Sequence, residues 1–147
     1  IVTTPADITS KLSVVDLSSF REVPVCSEEL EVKNGADIRD LQNYPIISLG
    51  EGTSTFDFYS DEFIKRGCVF SPDIEAATAD QIMPLVKHGL GIGFVPEDFL
   101  ALESGIRKIE LKEELPEREI ILVRKKEHSL PLPAKELVDM ILSHEKQ

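Results

Sequence analysis

The sequence predicts an α/β domain, on three observations. Short β-branched stretches alternate with segments whose apolar residues recur at helical spacing. The 147 residues are about the length of one domain, and 41% are apolar, enough for a core. No apolar run approaches the roughly 20 residues of a membrane-crossing helix; the longest, such as Ile46-Ile47 and Ile120–Val123, are short.

Taken in order, Ile1–Thr4 reads as a strand that ends at Pro5, and its abrupt opening suggests that the sequence starts inside a larger protein. Ala6–Ser19 is polar and mixed and is read as a loop with a turn of helix. Phe20–Cys26 is extended, with Pro24 implying an edge or a bend. Ile38 and Leu41 set a short helix over Asp37–Asn43, and Tyr44–Leu49 is a buried-type strand broken by Gly50–Gly52. Thr53, Ser54 and Thr55 offer N-caps to a helix whose stripe is Phe56, Tyr59, Phe63 and Ile64, and Gly67 stops it. Val69–Ile74 is a short strand interrupted by Pro72. Thr78-Ala79-Asp80-Gln81 has the form of a capping box opening a helix with Ile82, Leu85 and Val86 inward. Pro84 is expected to kink that helix, Lys87 and His88 suit its C-terminal end, and Gly89 closes it. Leu90–Val95 is a glycine-rich strand, and Pro96 opens a helix over Glu97–Leu102. Ile106–Leu111 and Glu119–Arg124 are strands separated by a charged loop, Lys112–Glu119. Pro133–Ser143 is an amphipathic helix with Leu137, Val138 and Ile141 inward.

Charge and motif exclude several function classes. The net charge is −11, from 27 acidic and 16 basic residues, which opposes direct contact with nucleic-acid phosphates. The short run Arg124-Lys125-Lys126 is read as a solvated strand end. Cys26 and Cys68 are isolated, which fits free thiols in the cytoplasm and not a metal site. Gly89-Leu90-Gly91-Ile92-Gly93 imitates a dinucleotide fingerprint. That fingerprint needs strand, glycine turn and then helix, whereas here the glycines follow a helix and enter a strand. They are read as places where the strand approaches a helix or a ligand closely. His88, His128 and His144 fall at a helix end, a polar loop and a terminal turn, and no nucleophile elbow, phosphate loop or zinc spacing is present. No catalytic residue, metal ligand or cofactor is assigned. The helix starts at Thr53–Thr55 and at Thr78 remain. Each is either an anion-binding tip or a hydroxyl that only caps its own helix.

These pieces stand in a recognisable order. Asp40-Leu41-Gln42-Asn43-Tyr44-Pro45-Ile46-Ile47, then Gly67–Pro72, then Glu119–Val123 resemble segments of the effector-binding domain of LysR-type transcriptional regulators. The most specific stretch is Ala79–Pro96, whose core Leu85-Val86-Lys87-His88-Gly89-Leu90-Gly91-Ile92-Gly93-Phe94-Val95-Pro96 is close to that family's hallmark. The resemblance spans essentially the whole chain, but the family's N-terminal helix-turn-helix, linker helix and opening part of lobe I have no counterpart in it.

The resemblance implies a two-lobed fold like type II periplasmic binding proteins, with lobe I incomplete. Residues 1–26 would hold a remnant of lobe I and the first crossover strand, 27–118 lobe II, and 119–147 the return strand and closing helix. It implies a small-molecule effector in the cleft between lobes, an anion being preferred. The implied contacts come from Thr3 and Thr4, Thr53, Ser54 and Thr55, Ala77 and Thr78, and Gly93 and Phe94. Expected further are a homodimer or tetramer of the full-length protein, a cytoplasmic location, and no nucleic-acid or membrane contact by this part. A solute-binding protein of a transport system and, behind it, a small enzyme on the same scaffold are the rival readings.

Overall fold

A computed structural model describes residues 1–144. In chain order the strands are β1 (Val2–Thr3), β2 (Leu12–Phe20), β3 (Glu22–Ser27), β4 (Ile46–Leu49), β5 (Ile74–Ala76), β6 (Ile92–Pro96), β7 (Ile106–Lys108) and β8 (Arg118–Lys125). The α-helices are α1 (Ser54–Lys65), α2 (Ile82–Lys87) and α3 (Leu132–His144). The chain forms two units, Arg21–Glu117 and, separately, Ile1–Phe20 with the segment from Arg118 onward.

The larger unit is built on a five-stranded sheet of order β5-β4-β6-β3-β7. β4 runs parallel to both β5 and β6, while β3 is antiparallel to β6 and β7. Successive residues of a strand face opposite sides, and the two cores follow that period of two. Cys26, Ile46, Ile92 and Phe94 pack on one side with Phe58, Tyr59 and Phe63 of α1. Val25, Ile47 and Val95 pack on the other with Ile82, Met83 and Val86 of α2. Phe70 completes the α1 side, with ring centroids 4.9 Å from Phe63 and 5.4 Å from Tyr59.

The glycines entering β6 have separate mechanical roles, none of them nucleotide binding. Gly89 takes φ +74° and closes α2, its N–H donating to the Val86 carbonyl at 2.9 Å. A Cβ on Gly91 would lie 2.3 Å from the Pro45 carbonyl oxygen, the same oxygen that accepts from Ile92 N–H at 2.8 Å. A Cβ on Gly93 would meet the Ile82 and Val86 methyls at 2.6 and 2.8 Å. Bare backbone at these two places lets β6 pair with β4 and lets α2 lie flat on it.

At the far end of α1, Glu62 is a buried carboxylate that accepts from Lys65 Nζ at 2.6 Å and Arg66 Nη1 at 2.5 Å. Burial pushes its carboxyl up, but the two cations outweigh burial and hold it below the ordinary glutamate value of 4.5.

The smaller unit is a three-stranded antiparallel sheet, β1-β8-β2, with α3. Residues 145–147 of the expected closing segment lie outside the described residues.

Several elements differ from expectation. Ala6–Ser19 is not a loop throughout, because Leu12–Phe20 forms the nine-residue β2. Its serines and Asp16 hid the alternation, and a bulge between Asp16 and Ser18 breaks the period. Pro24 sits in the interior strand β3, not at an edge. Its carbonyl accepts from Ile109 N–H at 2.8 Å, just past the last β7 pair, so the absent proline N–H falls where that ladder ends. The strand expected over Val69–Ile74 begins only at Ile74, and Val69 is 70% exposed. Pro84 lies in the first turn of α2, where an N–H has no intrahelical partner, so the proline costs the helix no hydrogen bond. In α1 the inward stripe is Phe58, Tyr59, Glu62 and Phe63, and Ile64 faces solvent. Leu137 of α3 is also exposed. The segment Lys112–Glu119 is not wholly a charged loop: Leu115 is buried, and Arg118 and Glu119 already belong to β8. Arg124 and Lys126 are exposed at the far end of that strand, as expected of a solvated strand end.

Gly91→Ala should lower unfolding free energy by about 3 kcal/mol or more, and Gly93→Ala by about 1–3 kcal/mol, since a methyl meets backbone in the first and side chains in the second. Urea denaturation of both variants checks this order. The stabilisation owed to Glu62 is present above about pH 4.5, the value expected unfolded, and is lost as pH falls through its lower folded value. The gap in denaturation midpoint between the parent chain and Glu62→Gln should therefore narrow on acidification below that pH.

Candidate functional site

In the larger unit, β4 and β5 are parallel neighbours paired at Leu49 and Ala76, so their C-terminal ends lie side by side. The chain leaves β4 through Gly50–Gly52 into α1, and leaves β5 through Ala77-Thr78 into the 3-10 turn Ala79–Gln81 and then α2. Two helical starts thus rise from adjacent strand ends, the usual place for a ligand in an open α/β sheet.

Thr53 is the N-cap of α1. Its hydroxyl accepts from Phe56 N–H at 3.1 Å and donates to the Gly50 carbonyl at 3.0 Å. That hydroxyl is committed to its own helix, the self-capping alternative. The Ser54 amide lies ahead of the helical ladder that begins with Asp57 N–H to Thr53 carbonyl at 3.1 Å, and the Ser54 side chain is exposed.

Thr78 behaves differently. It is extended (φ −141°, ψ 153°) and exposed, and it makes no capping bond. The expected capping box does not form. The tight three-residue turn brings the Gln81 carboxamide back onto the preceding residue, where Oε1 accepts from Ala77 N–H at 3.0 Å. The Thr78 hydroxyl is left facing solvent.

Gly93 is filled by α2, and Phe94 is 3% exposed, its ring 4.8 Å from Tyr59. Both sit inside the layers that carry the strand ends.

Two residues that sequence reasoning passed over stand at the same end. Ser48, two residues before Gly50, is 1% exposed, and its Oγ has no hydrogen-bond partner. A lone serine within Ile46-Ile47-Ser48-Leu49 was the available signal, since a buried hydroxyl ordinarily finds a partner. Glu75 reaches over from β5: a Cβ on Gly50 would lie 2.9 Å from its Oε2. The positive end of α1 therefore shares its surroundings with the carboxylate of Glu75, and exposed Glu51 and Asp57 lie next in sequence.

Thr3 and Thr4 belong to the smaller unit. Thr3 Oγ1 accepts from Arg118 Nη2 at 3.1 Å, the Thr4 carbonyl accepts from Arg118 Nε at 2.6 Å, and Thr4 Oγ1 accepts from Glu119 N–H at 2.8 Å. Arg118 is buried, with its guanidinium 5.4 Å above the Phe20 ring. His88 behaves as a helix-end residue, its Nδ1 2.7 Å from the Pro84 carbonyl.

Residues 1–146 match the family model described as the LysR substrate binding domain, and the chain belongs to that family. Its fold is the type II periplasmic-binding-protein-like one. Among solved structures, the regulatory domain of CcmR from Synechocystis PCC6803 in complex with 2-PG superposes with TM-score 0.84 at 14% identity, over 99% of this chain and 73% of that one. The effector binding domain of QuiR in complex with shikimate gives TM-score 0.79 at 19% identity, over 92% of this chain and 66% of that one. The LysR family regulator CbnR gives TM-score 0.73 at 16% identity, over 96% of this chain and 50% of that one. This chain thus spans half the length of CbnR. No curated protein matches the sequence significantly.

The two threonines predict opposite stability effects. Thr53→Val should cost about 1 kcal/mol through the lost cap. Thr78→Val should stay within about 0.5 kcal/mol of the parent chain, as for an exposed residue without a bond to lose. Chemical denaturation of the pair distinguishes them.

Proposed function

We propose that this chain is the effector-sensing part of a cytoplasmic LysR-type regulator. On this reading it binds a small polar metabolite at the C-terminal ends of β4 and β5 and releases it unchanged. The observation that carries the reading is the hydroxyl of Thr78, left without a capping role where the chain leaves β5, the parallel neighbour of β4. It can donate to or accept from a ligand, while the Ser54 amide offers the positive end of a helix to a carboxylate or other acid group. Ser48 supplies a further hydroxyl, a buried one without a partner. Phe94 and Gly93 hold the floor rigid, and Thr53 holds the helix start in place. The larger unit is read as lobe II and the smaller as part of lobe I.

A ligand that prefers one arrangement of the protein would shift its population toward that arrangement, and so govern a DNA-reading module outside these residues. A homodimer or tetramer is the proposed assembly, by membership of the family. Conversion of the ligand is not expected, since the groups at the strand ends are hydroxyls, amides and exposed carboxylates, with no activated nucleophile and base within reach of one another.

A thermal-shift screen of the chain with 2-PG, shikimate and a panel of metabolic carboxylic acids tests the reading. A stabilising compound should be recovered intact and should bind about 5- to 150-fold more weakly to Thr78→Val, the range for one lost hydrogen bond of about 1–3 kcal/mol. Equal affinity for Thr78→Val would contradict it. If the compound is an anion, Glu75→Gln should tighten binding by removing a like charge.

A further inference from the structure

The larger unit carries a depression of about 560 Å³ at the C-terminal end of α1. Its volume lies in the range of small-molecule sites. Its lining brings together Arg39, Lys65, Arg66 and Lys112, with the carboxylates of Asp37 and Glu113. Lys65 and Arg66 also share the buried carboxylate of Glu62, and Asp40 stands beside Arg39, so cations and carboxylates balance here on a chain whose net charge is −11.

The cations come from separate parts of the chain and are held in place. Arg39 is fixed by a two-pronged pair with Asp37, Nε to Oδ1 at 2.9 Å and Nη2 to Oδ2 at 2.9 Å, and its side chain remains 60% exposed. Lys112 is brought opposite by a bridge between Ala36 and Leu111 and by its own N–H, which donates to the Ala36 carbonyl at 2.9 Å. Among the described residues its ammonium has no ion-pair partner within 4.0 Å. Arg66 is largely buried and donates to the Glu62 carboxylate and to the Glu62 and Glu114 carbonyls. Its Nε is buried without a hydrogen-bond partner, with a Glu113 carboxylate oxygen 3.8 Å away. That unused N–H lies on a residue lining the depression. The Arg66 and Gly67 amides are already bound to the Phe63 and Ile64 carbonyls at 3.1 and 2.9 Å, so an anion here would be held by side chains against the negative end of α1.

We propose that this depression is an anion site for a small phosphorylated ligand, with Arg39 and Lys112 as its principal contacts. It lies at the opposite end of α1 from Thr53, roughly 18 Å away along a 12-residue helix. Phosphate groups suit paired guanidinium and ammonium donors because several oxygens accept at once. A carboxylate would satisfy fewer of them.

Titration of the ¹⁵N-labelled 147-residue chain with pyrophosphate at low salt, followed by NMR, tests the assignment. Saturable shifts are expected at the Gly67 and Lys112 amides. The dissociation constant should rise about tenfold or more in Arg39→Gln/Lys112→Gln, the size of one lost charge-assisted contact. Lys112→Gln alone, which leaves the Asp37–Arg39 pair intact, should weaken binding in the same direction with an unchanged melting temperature. Thr78→Val should leave it unaltered. Glycerol 3-phosphate should compete if the ligand is a phosphomonoester, and fail to compete if free inorganic polyphosphate is what fits. Non-saturating shifts, equal affinity in both charge variants, or tighter binding of hexaglutamate than of pyrophosphate would overturn the assignment.

Discussion

The larger unit depends on the close approach permitted at Gly91 and Gly93. One glycine admits the Pro45 carbonyl to within bonding distance of Ile92 N–H, and the other admits the methyls of Ile82 and Val86. Together they bring β6 alongside β4 and α2 down onto the sheet. With β6 seated, Phe94 enters the aromatic cluster under α1, and β4 and β5 present their C-terminal ends as a pair. Interiors at crystal-like density leave no slack for a methyl at such points.

Much of this was legible in the sequence. The helical start at Thr53, the stop at Gly67 and the strand within Tyr44–Leu49 follow from capping chemistry and period. The order of helix, glycines and strand was enough to exclude a nucleotide fingerprint. What stayed hidden was tertiary in origin. β2 takes its strand form from pairing along the whole length of β8, which outweighs the polar character of its serines. Pro24 is tolerated inside a sheet because the β7 ladder stops one residue earlier, a matter of register that local sequence does not carry. The buried character of Glu62 and Arg118 likewise needs knowledge of their partners, since each reads as ordinary surface charge.

The candidate site was visible as a pair of helix tips, but not in its division of labour. Two threonines with the same local signature take different roles. Thr53 accepts a bond from its own helix and donates one to the Gly50 carbonyl, whereas Thr78 caps nothing and the Gln81 carboxamide accepts from Ala77 N–H. Ser48 and Glu75 alter the chemistry further. One adds a buried hydroxyl without a partner, and the other sets a negative charge beside a positive helix end. A ligand matched to this mixture would carry hydroxyl groups as well as an acid, so that hydrogen bonds offset repulsion from Glu75.

Family membership rests on residues 1–146, while the identities to solved regulators are low enough that they establish fold alone. The central proposal is therefore local: a metabolite held at the ends of β4 and β5 by the Thr78 hydroxyl and the opening amides of α1. The most direct measurement is a crystal structure of this chain with a stabilising metabolite bound. The account predicts a polar atom of that metabolite within hydrogen-bond distance of Thr78 Oγ1 and an acid group facing the Ser54 amide. A ligand that touches neither, with both groups still open to solvent, would contradict it.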